Sequence, residues 1–168
     1  KNMAIYPLTS NENEGIEYLS LRSALNAGFI EITEVSESGS VPNLAVKNIG
    51  KLPVLILDGE EVKGAKQNRV LNSTIMVAPG VTTTIPVSCV ERGRWSRKSR
   101  TFTDSDQVMT SSSRRSKMSR VTESLMRHRG YDANQNIVWA DVDEVSESIG
   151  IKSKTSAMSD AYKEKRSS

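Results

Sequence analysis

The densest run of chemically capable side chains is GEEVKGAKQNR, residues 59–69. Glu60, Glu61, Lys63, Lys66, Gln67 and Arg69 are gathered there around Gly59 and Gly64. An Arg fork can grip a phosphate through two parallel bonds, and a Gln amide both donates and accepts. Glycines let a ligand come close to the backbone. Paired carboxylates also suit a hard cation, although no metal is assigned. The plain alternative is a solvated hairpin rim, whose surface ion pairs contribute ~0–1 kcal/mol each. In favour of a site, Gln67-Asn68-Arg69 interrupts an otherwise β-like stretch where folding does not need it.

A second cluster follows in VSCVERGRW. Along TIPVSCVE, the parity that carries Ile85, Val87 and Cys89 also carries Glu91,. A carboxylate ending an inward row must find a cation or take up a proton, because burying it alone is costly. Arg94 or Arg69 can supply the cation. Trp95 stands among Arg92, Arg94, Arg97, Lys98 and Arg100. Cations with an indole suit phosphates and a stacked base, but a Trp directly after a core strand also suits a core edge or subunit contact.

Cys89 is the only cysteine and His128 the only histidine. They are far apart in the chain, and the reading preferred for Cys89 is a small buried hydrophobe. With one histidine there is no histidine metal cluster. GxGxxG and GxxxxGK[ST] are both absent, as is any recognised nucleic-acid motif,. The candidate ligand contacts are therefore Glu60, Lys66, Gln67, Arg69, Glu91, Arg94 and Trp95, with no catalytic residue and no cofactor assigned.

These residues must be positioned by strands. FIEITEV, residues 29–35, alternates as a half-buried strand. Leu44 to Lys47 is another. Pro53 to Leu57 is a continuous apolar run and reads as a strand buried on both sides. Asp58-Gly59 predicts a type I′ hairpin that returns through Glu60 to Lys63. Gln67 to Leu71, Thr74 to Val77 and Val81 to Val90 complete the set, punctuated by Asn72-Ser73 and Pro79-Gly80. Short strands with turns at intervals of roughly 8–12 residues predict an antiparallel sandwich or barrel-like sheet. Before it, Met3 to Leu8 reads as an edge strand or extended lead-in, and Thr9 to Gly15 as turn. Ser20 to Ala27 reads as a short helix capped by Ser20. After it, a helix is predicted from Ser113 to about His128 with Met118, Val121 and Leu125 on one face. Another spans about Gln135 to Ser148, and a third starts near Thr155.

The expected class is α+β: an antiparallel β-sandwich-like core over about residues 29–95, a short N-terminal helix and C-terminal helices. Three parts are expected: a β-rich core domain over 1–95, a basic Ser-rich mobile segment over 96–112, and a helical part over 113–168 packing on the core or on a partner subunit. The chain has 168 residues, 36% of them hydrophobic and 26% charged, with a net charge of +3. That is enough for one domain's core. A single cysteine fits a reducing, cytoplasmic compartment. No apolar run is long enough for a membrane span.

The central stretch resembles the ARG and rhodanese-phosphatase-superfamily-associated domain family. The matching residues are IYPL near the start, ITE at 32–34, NIGKLPVLILDGEEVKGAKQNRVLN, IPVSCVERGRW, Trp139 and SKTSAMSDAY. The family is often longer at its C-terminus, so the chain looks like a short form. Its name reflects neighbouring genes for ADP-ribosylglycohydrolases and rhodanese-phosphatases. The resemblance thus implies a setting near ADP-ribose or nucleotide chemistry, without assigning a reaction. The leading expectation is a module that binds a nucleotide or ADP-ribose-like small molecule. Alternatives are a self-associating, non-catalytic interaction domain forming a homo-oligomer, and a nucleic-acid binder using the basic segment. No membrane partner is expected.

Overall fold

The computed structural model describes residues 4, 6–9, 15–36 and 40–166. Strand β1 (Leu19–Ser20) runs directly into helix α1 (Leu21–Asn26). Ser20 caps that helix as its position predicts, its hydroxyl accepting the Ser23 N–H at 3.2 Å,. The helix buries Leu21 and Ala24. The strands that follow are β2 (Ile30–Glu34), β3 (Asn43–Asn48), β4 (Val54–Ile56), β5 (Glu60–Gly64), β6 (Arg69–Leu71), β7 (Ile75–Val77), β8 (Thr82–Cys89) and β9 (Phe102–Val108). Helices α2 (Ser111–Met126), α3 (Gln135–Ser148) and α4 (Met158–Arg166) come last.

The main sheet has the order β2-β3-β8-β6-β5-β9, with every pairing antiparallel. It curls until its two ends meet, where Thr33 bridges Thr101 next to β9. The result is a half-barrel, the shape that strand twist gives a sheet whose edges approach. A small sheet, β1-β4-β7, packs with α1 against the inside. Its β1–β4 pair is parallel and its β4–β7 pair antiparallel.

Alternation along the strands builds two cores. Ile30 and Ile32, Leu44 and Val46, Ile85 and Val87, and Leu71 point inward with Val54, Ile56 and Phe102. The opposite parity of β6 and of the chain just past β8, Val70 and Val90, packs beneath the helices with Met109, Val121, Val138, Val142 and Met158. The same short strands are thus buried on both faces, which is why so little of their sequence alternates cleanly.

Several expectations are corrected by these elements. Asp58-Gly59 does not close a hairpin. Of the two, only Gly59 has positive φ (+81°), and the Glu60 N–H donates to the Leu57 carbonyl at 3.2 Å. That is a type II rather than a type I′ turn, and its twist splays the flanking strands. Accordingly β4 joins the small sheet and β5 the large one. The PVLIL run is buried on one side only: Val54 and Ile56 are enclosed while Leu57 is 43% exposed. The strand content does not stop at residue 95, since Phe102–Val108 forms β9 inside the segment for which no element was expected. Helix α2 starts before Ser113, capped by Thr110, and it buries Ser113, Lys117 and Val121. Leu125, placed in the expected stripe, is instead exposed. The stripe rotates because Lys117 turns inward to ion-pair with Asp58 and donate to the Leu71 carbonyl at 2.8 Å. The expected lead-in over Met3 to Leu8 lies partly, and the expected turn over Thr9 to Gly15 mostly, outside the described residues.

Candidate functional site

Strand β6 and the residues leading into it divide the polar side chains between the two faces of the sheet. On the helix-covered face, Glu91 accepts from Arg94 Nη2 at 2.6 Å, from the Asn68 N–H at 3.2 Å and from Thr155 Oγ1 at 3.1 Å. Arg94 also donates to the Ala65 and Ser96 carbonyls, each at 2.8 Å. Asn68 Nδ2 bridges onward to Glu61 Oε1 at 3.2 Å and Ser159 Oγ at 3.4 Å. Burial pushes the Glu91 carboxyl up, but the hydrogen bonds and charge of Arg94 and the Asn68 N–H outweigh it and hold Glu91 below its ordinary value,. Burial wins at Glu61. Ser105 and Asn68 only partly compensate there, and its pKa rises to about 7.

This network fastens the C-terminal segment to the sheet. Glu91 bridges Ala157, the Met158 N–H donates to the Val90 carbonyl at 2.9 Å, and the Gly93 N–H donates to the Thr155 carbonyl at 2.8 Å. The expected inward row therefore ends at Cys89. Glu91 is buried as predicted and takes Arg94 as its cation, but against the C-terminal segment.

Inside the half-barrel a second polar group closes one end. Arg69 opposes Cys89 in the register, and Glu34 extends the inward row of Ile30 and Ile32. Arg69 Nη1 donates to Gln67 Oε1 at 3.1 Å and contacts the Cys89 sulfur. Its Nη2 lies 3.9 Å from Glu34 Oε1, too far for a hydrogen bond,. Both Glu34 oxygens, and Arg69 Nε and Nη2, are buried with no hydrogen-bond partner among the described residues. The Arg69 guanidinium and the Lys66 ammonium stand 5.7 and 5.4 Å from the Trp95 ring centroid, and Trp95 is 51% exposed. Burial pushes the Cys89 thiol above its ordinary value despite the Arg69 charge beside it. His128 is exposed at the end of α2.

Glu34 also lines a cleft of about 650 Å³ across β2, β3 and β8. The cleft takes Glu31 and Thr33 from β2, Ala45 and Lys47 from β3, Thr82 from β8, and Arg97 and Arg100 from the loop before β9. None of Lys47, Arg97 and Arg100 makes an ion pair among the described residues. Cations flanking the basic segment are engaged within the fold. Arg92 pairs with Asp143 at 3.0 Å and stacks on Trp139, and Arg114 reaches Asp58 at 3.3 Å.

Of the predicted contacts, the structure gathers Gln67, Arg69, Lys66 and Trp95 at the barrel end and joins Glu91 to Arg94 behind them. Gln67 links the two groups, donating to the Glu91 carbonyl at 3.0 Å. Glu60 joins neither. Its carboxylate accepts the Leu57 N–H at 2.8 Å and closes the Asp58-Gly59 turn. Glu34, Asn68, Ser105, Thr155, Ser159 and the cleft-lining Lys47 are not among the predicted contacts, and Arg97 and Arg100, expected only beside Trp95 as phosphate-binding cations of the basic stretch, line the cleft. For Glu34 the signal was available, since it shares the parity of Ile30 and Ile32.

Among the described residues, no group of three or more His, Cys, Asp or Glu side chains is placed to hold a metal ion. No described helix is long and apolar enough to cross a membrane. No curated protein and no solved structure matches the chain. The blocks that build the barrel end and the buried network, GEEVKGAKQNR and VSCVERGRW, are among those that carry the family resemblance. The whole chain, residues 1–168, matches the description "ARG and Rhodanese-Phosphatase-superfamily-associated Protein domain", and the protein belongs to that family.

Proposed function

We propose that the domain binds a small phosphorylated ligand of the nucleotide or ADP-ribose type in the cleft across β2, β3 and β8. The observation that carries this reading is the convergence of Lys47, Arg97 and Arg100 on a cleft of about 650 Å³. The volume is that of a small-molecule site. Arg forks suit phosphate oxygens, and the cations of the cleft outnumber Glu31 and Glu34. Behind the cleft, Glu34 connects to Arg69, and Arg69 to the half-exposed Trp95. The predicted Gln67–Arg69–Trp95 group thereby backs the ligand, while Glu91 and Arg94 hold the frame. The setting implied by the family resemblance supplies the ligand class.

The test is calorimetric titration with ADP-ribose at low and moderate salt. Binding to the wild type, weakened at least tenfold in Arg97→Ala/Arg100→Ala and steeply dependent on salt, supports the reading. Equal binding by wild type and double variant removes it.

A second reading, self-association, is favoured by one apolar patch. Phe29, Ile49 and Val81 are 44%, 57% and 41% exposed. They are brought together because Ile49 N–H donates to the Phe29 carbonyl and Asn48 N–H to that of Val81. A concentration-independent monomer mass in solution would remove this second reading.

A further inference from the structure

The loop that carries Arg97 and Arg100 also serves a second cleft. Lys98 lines a separate concavity of about 430 Å³ together with Lys152, Lys154 and Lys163. All four lysines are exposed. Lys98, Lys152 and Lys154 make no ion pair among the described residues. Asp160 also lines this cleft. It accepts from Ser153 Oγ at 2.7 Å and stands 4.0 Å from Lys163.

The fold brings these cations together from distant parts of the chain. The Gly93 N–H donates to the Thr155 carbonyl at 2.8 Å, and a Cβ on Gly93 would lie 2.9 Å from Thr155 Cα. The Lys98 N–H donates to the Ala65 carbonyl at 2.9 Å. Loop and C-terminal segment are thus pinned side by side. Like charges held close repel and oppose compactness, so folding gains nothing from this convergence. A polyanion would turn it to use.

We infer that the two clefts form one track for a single-stranded nucleic acid, with the loop from Arg97 to Arg100 as the ridge between them and Trp95 beside it as a stacking platform. Lys47, Arg97 and Arg100 take phosphates on one side of the ridge, and Lys98, Lys152 and Lys154 on the other. The second cleft shares no lining residue with the first, so the track goes beyond the small-ligand reading and does not depend on it. Phosphates repeated along a strand match cations on both sides of a ridge, whereas one small ligand fills one cleft. Trp95 stays 51% exposed although Lys66 and Arg69 stand over its ring, and an exposed indole offers any base a face. A flat anionic membrane would meet the ridge before the cations inside the clefts.

The experiment is fluorescence anisotropy with the full chain and labelled oligouridylate or oligothymidylate of about 15 nucleotides. Binding of either supports the track, and a preference between them identifies which is read. Each single-strand phosphate contact contributes about −0.7 to the slope of log affinity against log salt, so a slope of about −3 to −5 is expected. Lys152→Ser/Lys154→Ser changes only exposed side chains. It should weaken binding at least tenfold at low salt and make the slope shallower by about 1.4. Trp95→Ala should weaken binding severalfold with the slope unchanged. No binding of either oligonucleotide at low salt, or unchanged affinity in the double lysine variant, overturns the track. So does equally tight binding of polyglutamate or of anionic phospholipid vesicles, which would mark a peptide or membrane surface instead. A duplex bound as tightly as the single strands, or unchanged affinity in Trp95→Ala, overturns the single-strand assignment. Oligonucleotide binding without ADP-ribose binding removes the small-ligand reading alone.

Discussion

Glu61 and Glu91 are both buried and both hydrogen-bond to Asn68, yet their carboxyl groups are driven in opposite directions. Asn68 gives its side-chain amide to Glu61 and its backbone N–H to Glu91. Glu91 alone has a guanidinium in contact and lies below its ordinary value, whereas burial pushes Glu61 from 4.5 up to about 7.

The pH dependence of stability follows from the sign of each shift. Glu61 holds its proton in the folded chain over roughly pH 4.5–7, where the unfolded chain has released it. Stability therefore falls as pH rises through that window. A shift of this size corresponds to a penalty on the order of 3 kcal/mol above it. Glu91 acts oppositely, and its contribution is lost as the solution is acidified through its depressed pKa. Chemical denaturation at pH 5 and pH 8 should show the wild type weaker at pH 8, and Glu61→Gln should flatten most of that difference. A wild type that is equally stable at both pH values would contradict the burial of Glu61.

Removing Arg94 should cost far more than removing an exposed arginine. Arg94→Met leaves Glu91 buried without its cation, and breaking a buried pair from one side costs about 3–5 kcal/mol. The loss should be local as well as global, because Glu91 also accepts from Thr155 and bridges Ala157. Hydrogen exchange should accelerate at Gly93 and Met158, whose N–H groups join the C-terminal segment to the sheet region. Protection in β2 and β3 should change less. Uniform exchange across the chain would argue against a fastened segment.

Cys89 should be unreactive in the folded protein. It is buried, its thiol is pushed up, and Arg69 contacts the sulfur, whereas reactivity requires an accessible thiolate. A thiol-specific chromogenic disulfide at pH 8 should label the native chain slowly and the chain in denaturant at once. Rapid labelling of the native chain would show that the Arg69–Trp95 end of the half-barrel opens readily.

Local periodicity made some of the fold legible and concealed the rest. Helix α3 is legible to its observed limits because Val138, Val142 and Val145 recur at helical spacing, and Val138 and Val142 pack into the helix-covered core. Strand β9 was hidden because two of its inward residues, Ser105 and Gln107, are polar and buried. Ser105 is spent on Glu61, and Asp106 at φ +62° breaks the alternation. The candidate contacts were legible where they were close in sequence, as with Glu91 and Arg94. The groups that complete them were not, since Thr155 and Ser159 arrive from the far end of the chain, and the cleft that Arg97 and Arg100 line is made with strands β2, β3 and β8. Sequence spacing carries no record of such encounters.

The glycines of the 59–69 block differ in how replaceable they are, and the difference tests the closure of the sheet. At Gly59 an added Cβ would meet Cγ and Cδ of the Arg114 side chain at 2.8 Å, part of a flexible, partly exposed side chain that can move aside at the cost of its contact with Asp58. The cost there is the left-handed backbone, about 1–2 kcal/mol. At Gly64 φ is +135°, and the Cβ would lie 2.8 Å from the Thr101 carbonyl oxygen. That oxygen belongs to the backbone where β5 pairs with Phe102 and where Thr101 bridges Thr33. It cannot yield without opening the joint between the two ends of the sheet. Gly64→Ala should therefore lower the melting temperature well beyond Gly59→Ala, and it should loosen β9 first. If the two variants melt together, the close approach of Gly64 to Thr101 does not hold the half-barrel shut.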